Sequence, residues 1–218
     1  SLAAVILLAE WLDRPIHVCH VAGATDIGLI ARAKERGLAI TCEVTPHHLF
    51  LDRSMTDLSD GRSEVRPRLG TPADRQALWT HLEVVDCFAT DHAPHTLAEK
   101  DGADPPPGFP GLETALPLLL TAVHDGLLEL DDVISRLHNR PVEIFDLPTD
   151  PDTWIEVDVD EVFEMAASGQ SRCGWTPFAG APVRGRVTSV MIRGVAAFEQ
   201  GRIVAAAGTG RDVRSEGR

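Results

Sequence analysis

The chain has 218 residues, 44% hydrophobic and 24% charged, which suits one sizeable core or a core with a small appendage. Its formal net charge of −13 opposes nucleic-acid phosphate and anionic lipid as partners, yet leaves room for an anionic small molecule held by a local arginine. No apolar run of about 18 residues predicts a membrane-spanning helix and no secretory signal pattern occurs, so no membrane association and a cytoplasmic location are expected.

The apolar run 3–12 predicts a helix, stopped by Asp13-Arg14-Pro15. Residues 16–20 (IHVCH) then predict a short strand, 25–36 a helix with Gly37 as its cap, and 38–45 a strand ending at Pro46. Helix follows at 72–82, with Pro72 in the first turn, and strand at 84–90, running into Asp91-His92-Ala93-Pro94-His95. A Pro/Gly-rich loop (101–111) and helices at 112–125 and 130–140 complete this part. Strand, helix, glycine, strand is the unit of a parallel sheet, and polar residues gather at the C-terminal ends of the strands. A (β/α)₈ barrel places its active site there, and a doubly wound sheet shows the same trend. From about residue 151 the texture changes to short alternating strands, at 154–160 and 184–206, joined by glycine turns. The expected organisation is therefore an α/β part over 1–150, a small β module over 151–206 and a polar tail over 207–218.

Four cysteines stand far apart with no C-x-x-C pair, which argues against a disulfide framework. Cys42 and Cys87 lie in apolar strands and read as buried thiols. Cys19 sits in His17-Val18-Cys19-His20, where strand alternation sends 18 and 20 one way and 17 and 19 the other. His20, at the strand tip, is a candidate metal ligand, although a single strand histidine is more often structural. Glu43, inside an apolar strand, needs a charge partner, a proton or a metal ion if buried. His47 and His48 after Pro46 are either ligands or packed side chains. Asp91, at a strand tip beside His92 and His95, can ligate a metal and carry a proton, or merely cap a helix. Arg66 in the Pro-restricted turn Val65-Arg66-Pro67-Arg68 could fork a carboxylate.

Taken together, HVCHVA (17–22), CEVTPHHLFL (42–51), EVRPRLG (64–70), ATDHAPHTLAEK (89–100) and PPPGFPGLETALPLLLTAV (105–123) resemble the dihydroorotases. These are metal-dependent cyclic-amide hydrolases of the amidohydrolase superfamily, and the PPPGFPGLE form looks nearest to the dihydroorotase domain of animal-type multifunctional proteins. The likeness runs from about Ser1 to Val213. It implies the C-terminal portion of a (β/α)₈ barrel with an added β module. It also implies a zinc site of two or three ions and reversible cyclisation of N-carbamoyl-L-aspartate to L-dihydroorotate in pyrimidine synthesis. By the resemblance, His20 ligates the second zinc, and Asp91 ligates the first and shuttles the proton. Cys19 and Glu43 help hold an additional zinc, Arg66 and His95 grip the substrate, and the backbone of Pro107 and Gly108 meets its ring. His47 and His48 are assigned a structural role.

The resemblance also implies a His-x-His pair, a bridging carboxylated lysine and a further histidine. The chain has no His-x-His, and its lysines, Lys34 and Lys100, lie away from the strand ends. A missing N-terminal barrel half is therefore expected, with the segment inactive alone and working as a homo-oligomer or within a multienzyme chain. Two other readings stand beside this one. One is a hydantoinase- or allantoinase-like amidohydrolase, which an Arg66/His95 clamp for an acidic substrate disfavours. The other is a non-catalytic dihydroorotase-like assembly domain.

Overall fold

The computed structural model describes residues 1–56 and 60–213. They form two compact units that alternate along the chain: Ser1–Ala115 with Ala166–Gly180, and Leu116–Met165 with Ala181 onward.

In the first unit, α1 (Leu2–Leu12) ends at Asp13 in the left-handed conformation and leads to β1 (Ile16–Val18). Helix α2 (Ala24–Glu35) follows, burying Ile27, Ile30 and Ala33 at helical spacing. Then come β2 (Ile40–Val44), α3 (Pro46–Phe50), α4 (Pro72–Thr80), β3 (Cys87–Phe88) and α5 (Leu97–Lys100). The strands form a parallel sheet in the order β1-β2-β3, with Val18 opposite Cys42 and Glu43 opposite Cys87. The parallel sheet and crossover helices follow the sequence expectation.

The strand ends differ from it. Strand β1 stops at Val18, and His20 takes a φ of 38°. Strand β3 keeps only two residues of the expected 84–90. Leu82–Val84 form a 3₁₀ turn whose last carbonyl accepts from Lys34 Nζ (2.7 Å). The Asp86 carboxylate takes the Cys42 N–H at 2.7 Å and Lys34 Nζ at 2.5 Å, so side-chain bonds replace a longer ladder. At the far end Asp91 turns out of the sheet with a φ of 45°.

One carboxylate organises two helix starts. Asp74 closes a capping box with Thr71 on α4, and its other oxygen accepts from Ala24 N, in the first turn of α2, at 3.0 Å. Under the polar loops lies a separate apolar cluster of Val65, Leu69, Phe109, Cys173 and Trp175. Its last two members come from 166–180, a segment that Glu113 pins by accepting from Gln170 N (2.8 Å) and Ser171 N (2.9 Å). Cys42 and Cys87 are buried, and all four cysteines are free thiols.

The second unit begins with α6 (Ala115–His124), α7 (Leu130–Ile134) and α8 (Arg140–Phe145). The helix expected at 130–140 instead runs from α7 to α8 through a π-helical stretch, Ser135–Asn139. Pro141 lacks the N–H that an unbroken α-ladder requires, so the hydrogen-bond spacing widens just before it. An antiparallel sheet follows, β4 (Trp154–Glu164), β5 (Pro182–Ile192), β6 (Val195–Glu199) and β7 (Arg202–Ile203), paired in that order. Gly185, at φ 86°, lies against Leu120, where a Cβ would come within 2.3 Å of Cδ1. Of the expected tail, Thr209 O accepts from Arg193, while 214–218 lie outside the described residues. No helix among the described residues is long and apolar enough to cross a membrane.

Candidate functional site

The parallel register brings the ends of β1 and β2 together. His17 faces Thr41 across the sheet, with Nδ1 2.8 Å from the Thr41 hydroxyl and Nε2 3.1 Å from Glu43 Oε2. Cys19, two residues on, presents its thiol on the same side. Ligand atoms of His17, Cys19 and Glu43 all lie within 4.8 Å of one another. Two ligands held ~2.0–2.1 Å from a tetrahedral zinc lie about 3.3 Å apart, so the His17–Glu43 spacing suits a shared ion. Nitrogen, sulfur and oxygen donors are also the set zinc accepts. His17 is the member that sequence reasoning left out. Alternation placed it beside Cys19, but only the neighbouring strand's register brings it to Glu43.

Glu43 also accepts from the backbone N–H of His20 at 3.3 Å, and Val21 N donates to Glu43 O at 2.9 Å. The left-handed turn at His20 thus sits directly on β2. The Cys19 thiol is pushed up from its ordinary pKa, first by partial burial and then by the charges of Glu43 and Asp91. Two carboxylates beside a thiol disfavour a free thiolate nucleophile and suit a divalent cation that neutralises all three. The charge of Asp91 also acts on Cys19, so Cys19, His20, Glu43 and Asp91 gather at one end of the sheet.

His47 and His48 lie beneath them, both nearly inaccessible to solvent. His48 is fully partnered: its Nε2–H donates to Pro67 O (3.0 Å) and Thr45 Oγ donates to its Nδ1 (2.7 Å). Burial pushes its pKa down to about 4. The His47 ring stands edge-on to Phe109 at 5.2 Å and is pushed down to about 2, by burial and then by the neighbouring His48 and His20. Among the described residues His47 Nε2 and His20 Nδ1 are buried without a hydrogen-bond partner. Two unpartnered imidazole nitrogens beside a carboxylate–thiol cluster fit a site whose polar atoms complete their bonding on a bound group.

The expected substrate residues fall on adjoining loops. His95 lies against Gly108. A Cβ on Gly108, at φ 145°, would meet Ala93 Cβ at 2.4 Å and His95 Cδ2 at 3.2 Å, so glycine is what lets this backbone approach. Pro107 beside it is exposed. Ala93 N donates to Phe109 O (2.9 Å), and His92 Nδ1 accepts from Gly111 N (3.0 Å), fastening the 105–111 loop to the Asp91–His95 turn. Arg66 is exposed and donates through Nη1 to Glu64 (2.7 Å) and to Val65 O (3.2 Å). It is carried by the Pro67 turn that His48 holds from below.

No family model matches the chain. Among curated proteins, the chain is 50% identical over 218 residues to multifunctional protein pyr1-3 of Dictyostelium discoideum, covering 99% of this chain and 10% of that one. It is 38% identical over 212 residues to a dihydroorotase of Pyrococcus furiosus, covering 94% of this chain and 50% of that one. Among solved structures, the inactive dihydroorotase-like domain of a Chaetomium thermophilum CAD-like multifunctional protein superposes with a TM-score of 0.78 at 37% identity. That match covers 93% of this chain and 56% of that one. Hydantoinases and dihydropyrimidinases at 20–24% identity share the fold, with TM-scores of 0.83–0.88. The fold is thus that of a portion of an amidohydrolase (β/α)₈ barrel with a small β module. The chain spans about half the length of the dihydroorotases it matches and about a tenth of the multifunctional proteins. On this sequence likeness, carried by the segments that line the site, the chain belongs to the dihydroorotase family.

Proposed function

We propose that this chain carries one half of a zinc-dependent dihydroorotase site, interconverting N-carbamoyl-L-aspartate and L-dihydroorotate once the rest of the barrel is present. The observation that carries the reading is the convergence of His17, Cys19, His20, Glu43 and Asp91 at one sheet end, beside loops bearing Arg66, His95 and Gly108. Asp91 would hold one zinc ion and His20 a second, with Cys19 and Glu43 helping to hold a further one, and these ions would supply Lewis-acid activation of water and of a ring carbonyl. The chain's own groups do the remainder. Asp91, exposed at its strand tip, moves the proton to and from the ring nitrogen. Arg66 and His95 neutralise and orient the substrate carboxylate. The loop at Pro107–Gly108, where Pro107 is exposed, meets the ring. The segment alone, without His-x-His and the bridging lysine, does not turn over. On this reading it serves pyrimidine synthesis in the cytoplasm, within a multienzyme chain or a homo-oligomer, and the likeness to multifunctional proteins supports the multienzyme setting.

A second reading, a dihydroorotase-like domain that serves assembly without catalysis, is favoured by the likeness to an inactive domain of that kind. The natural full-length polypeptide should be purified, loaded with zinc and assayed in both directions with dihydroorotate, allantoin and hydantoin. Turnover of dihydroorotate alone, abolished by Asp91→Ala, supports the enzyme. Zinc binding without turnover supports the assembly reading, and preference for allantoin or hydantoin sinks both.

A further inference from the structure

Lys100 closes α5 with its side chain fully buried, the largest wholly inaccessible side chain among the described residues. Among those residues no carboxylate pairs with it. Its ammonium instead donates to three backbone carbonyls: Glu64 O at 2.7 Å, Pro106 O at 2.9 Å and Gly108 O at 3.3 Å. An ammonium has three N–H bonds, so this cage uses every one. The rings of Phe109 and Trp175 lie 5.9 and 5.7 Å from Nζ, close enough for the cation to interact with their faces. Burial lowers the lysine pKa, while Glu64 and Asp60 pull it back up.

The three carbonyls belong to two segments far apart in sequence, and both lead to the site. Glu64 receives Arg66 and Arg68 on its carboxylate, at 2.7 and 3.2 Å. Its carbonyl accepts from Gly108 N (2.9 Å) as well as from Lys100. Gly108 in turn lies against His95, whose carbonyl accepts from Trp175 Nε1 at 2.8 Å. A buried charge is costly unless its bonds are complete, so any displacement of either loop strands the ammonium or a carbonyl. We infer that Lys100 is a positioning residue, a buried clasp that holds the Arg66 turn and the Pro107–Gly108 backbone in one register for a carboxylate-bearing substrate. The clasp stands on the geometry alone, and its bearing on substrate rests on the dihydroorotase reading.

The test uses the natural full-length protein and two variants. Lys100→Met keeps the stem and removes the ammonium. Leu78→Ala, at the buried position of α4, controls for lost stability. Hydrogen exchange over 61–66 and 104–111 should accelerate at least about tenfold in Lys100→Met and not in Leu78→Ala. The KM for L-dihydroorotate should rise about tenfold with kcat changed less than about threefold, while Leu78→Ala leaves KM within about twofold. Unchanged exchange in the two loops overturns the clasp. Faster exchange with an unmoved KM reduces Lys100 to a core strut and overturns the positioning role. A parent protein without turnover sinks the dihydroorotase reading by itself, and the exchange measurement then decides the clasp alone. Should Lys100→Met fail to fold, the ¹⁵N signal of the lysine ammonium in the unsubstituted protein takes its place. An exchange-protected Lys100 signal that shifts on adding L-dihydroorotate supports the role, and an unprotected or unmoved one overturns it.

Discussion

His48, a buried neutral imidazole, ties part of the fold's stability to pH. Its two hydrogen bonds, from Thr45 Oγ to Nδ1 and from Nε2–H to Pro67 O, fit one uncharged tautomer. Burial holds its pKa at about 4, against 6.5 for the free side chain. A histidine depressed in this way contributes stability that is intact above pH 6.5 and erodes as the pH falls towards 4, because the unfolded chain gains the proton first. The loss is about 1.4 kcal/mol per pH unit in that window, or on the order of 2 kcal/mol at pH 5. His48→Gln removes the titration. Loss of two buried hydrogen bonds should cost it about 1–3 kcal/mol at pH 7.5. Urea unfolding of both proteins at pH 7.5 and pH 5 measures the difference, and carboxylates that titrate in both proteins cancel from it. The stability gap should narrow by about 2 kcal/mol at the lower pH. A gap that stays constant would refute the neutral, buried His48.

Asp74→Ala should destabilise the first unit by about 2 kcal/mol in thermal or urea unfolding, because one carboxylate serves two helix starts. Its pKa is lowered, first by the Thr71 hydroxyl, so this share of stability is present above pH 3.8 and lost as the pH falls below it. Glu113→Ala should speed proteolysis within 166–174 several-fold, since its carboxylate alone ties Gln170 N and Ser171 N; unchanged cleavage would count against that anchor. Cys19→Ser with Glu43→Gln should weaken cobalt binding at least tenfold and reduce the thiolate-to-cobalt absorption band, whereas an unchanged band would place the ion elsewhere.

Much of the fold was legible because hydrophobic period and glycine position are local signals. The spacing of Ile27, Ile30 and Ala33 gave α2, and Gly37 gave its stop. Strand ends were less legible, because at the start of β3 the Asp86 carboxylate takes the Cys42 N–H and Lys34, some fifty residues away, reaches Asp86 and Val84 O. Pro141 did carry a local signal for the π-helical stretch that the helical period concealed. At the site, Cys19, His20, Glu43 and Asp91 could be named from strand tips and from family likeness. His17 could not, because alternation gives the side of a strand and not its neighbour's register. Lys100 was hidden more deeply: in a polar stretch it reads as solvated, and its burial depends on carbonyls from two other loops.

The alternation of the two units along the chain bears on how the protein emerges from the ribosome. The apolar cluster under the site loops joins Val65, Leu69 and Phe109 to Cys173 and Trp175. By the time Phe109 has been made, more than sixty residues must still be added before Trp175 can close that cluster. All of Leu116–Met165 passes in the interval. At about 5–20 residues per second, the first unit waits several seconds with Phe109 and the Lys100 cage uncovered on one side. A nascent chain arrested near residue 150 would therefore expose an apolar patch to chaperones, and one arrested past 180, clear of the exit tunnel, would not. Any expression boundary drawn at the change in texture near residue 151 would likewise remove the aromatic lid from the unit it was meant to isolate.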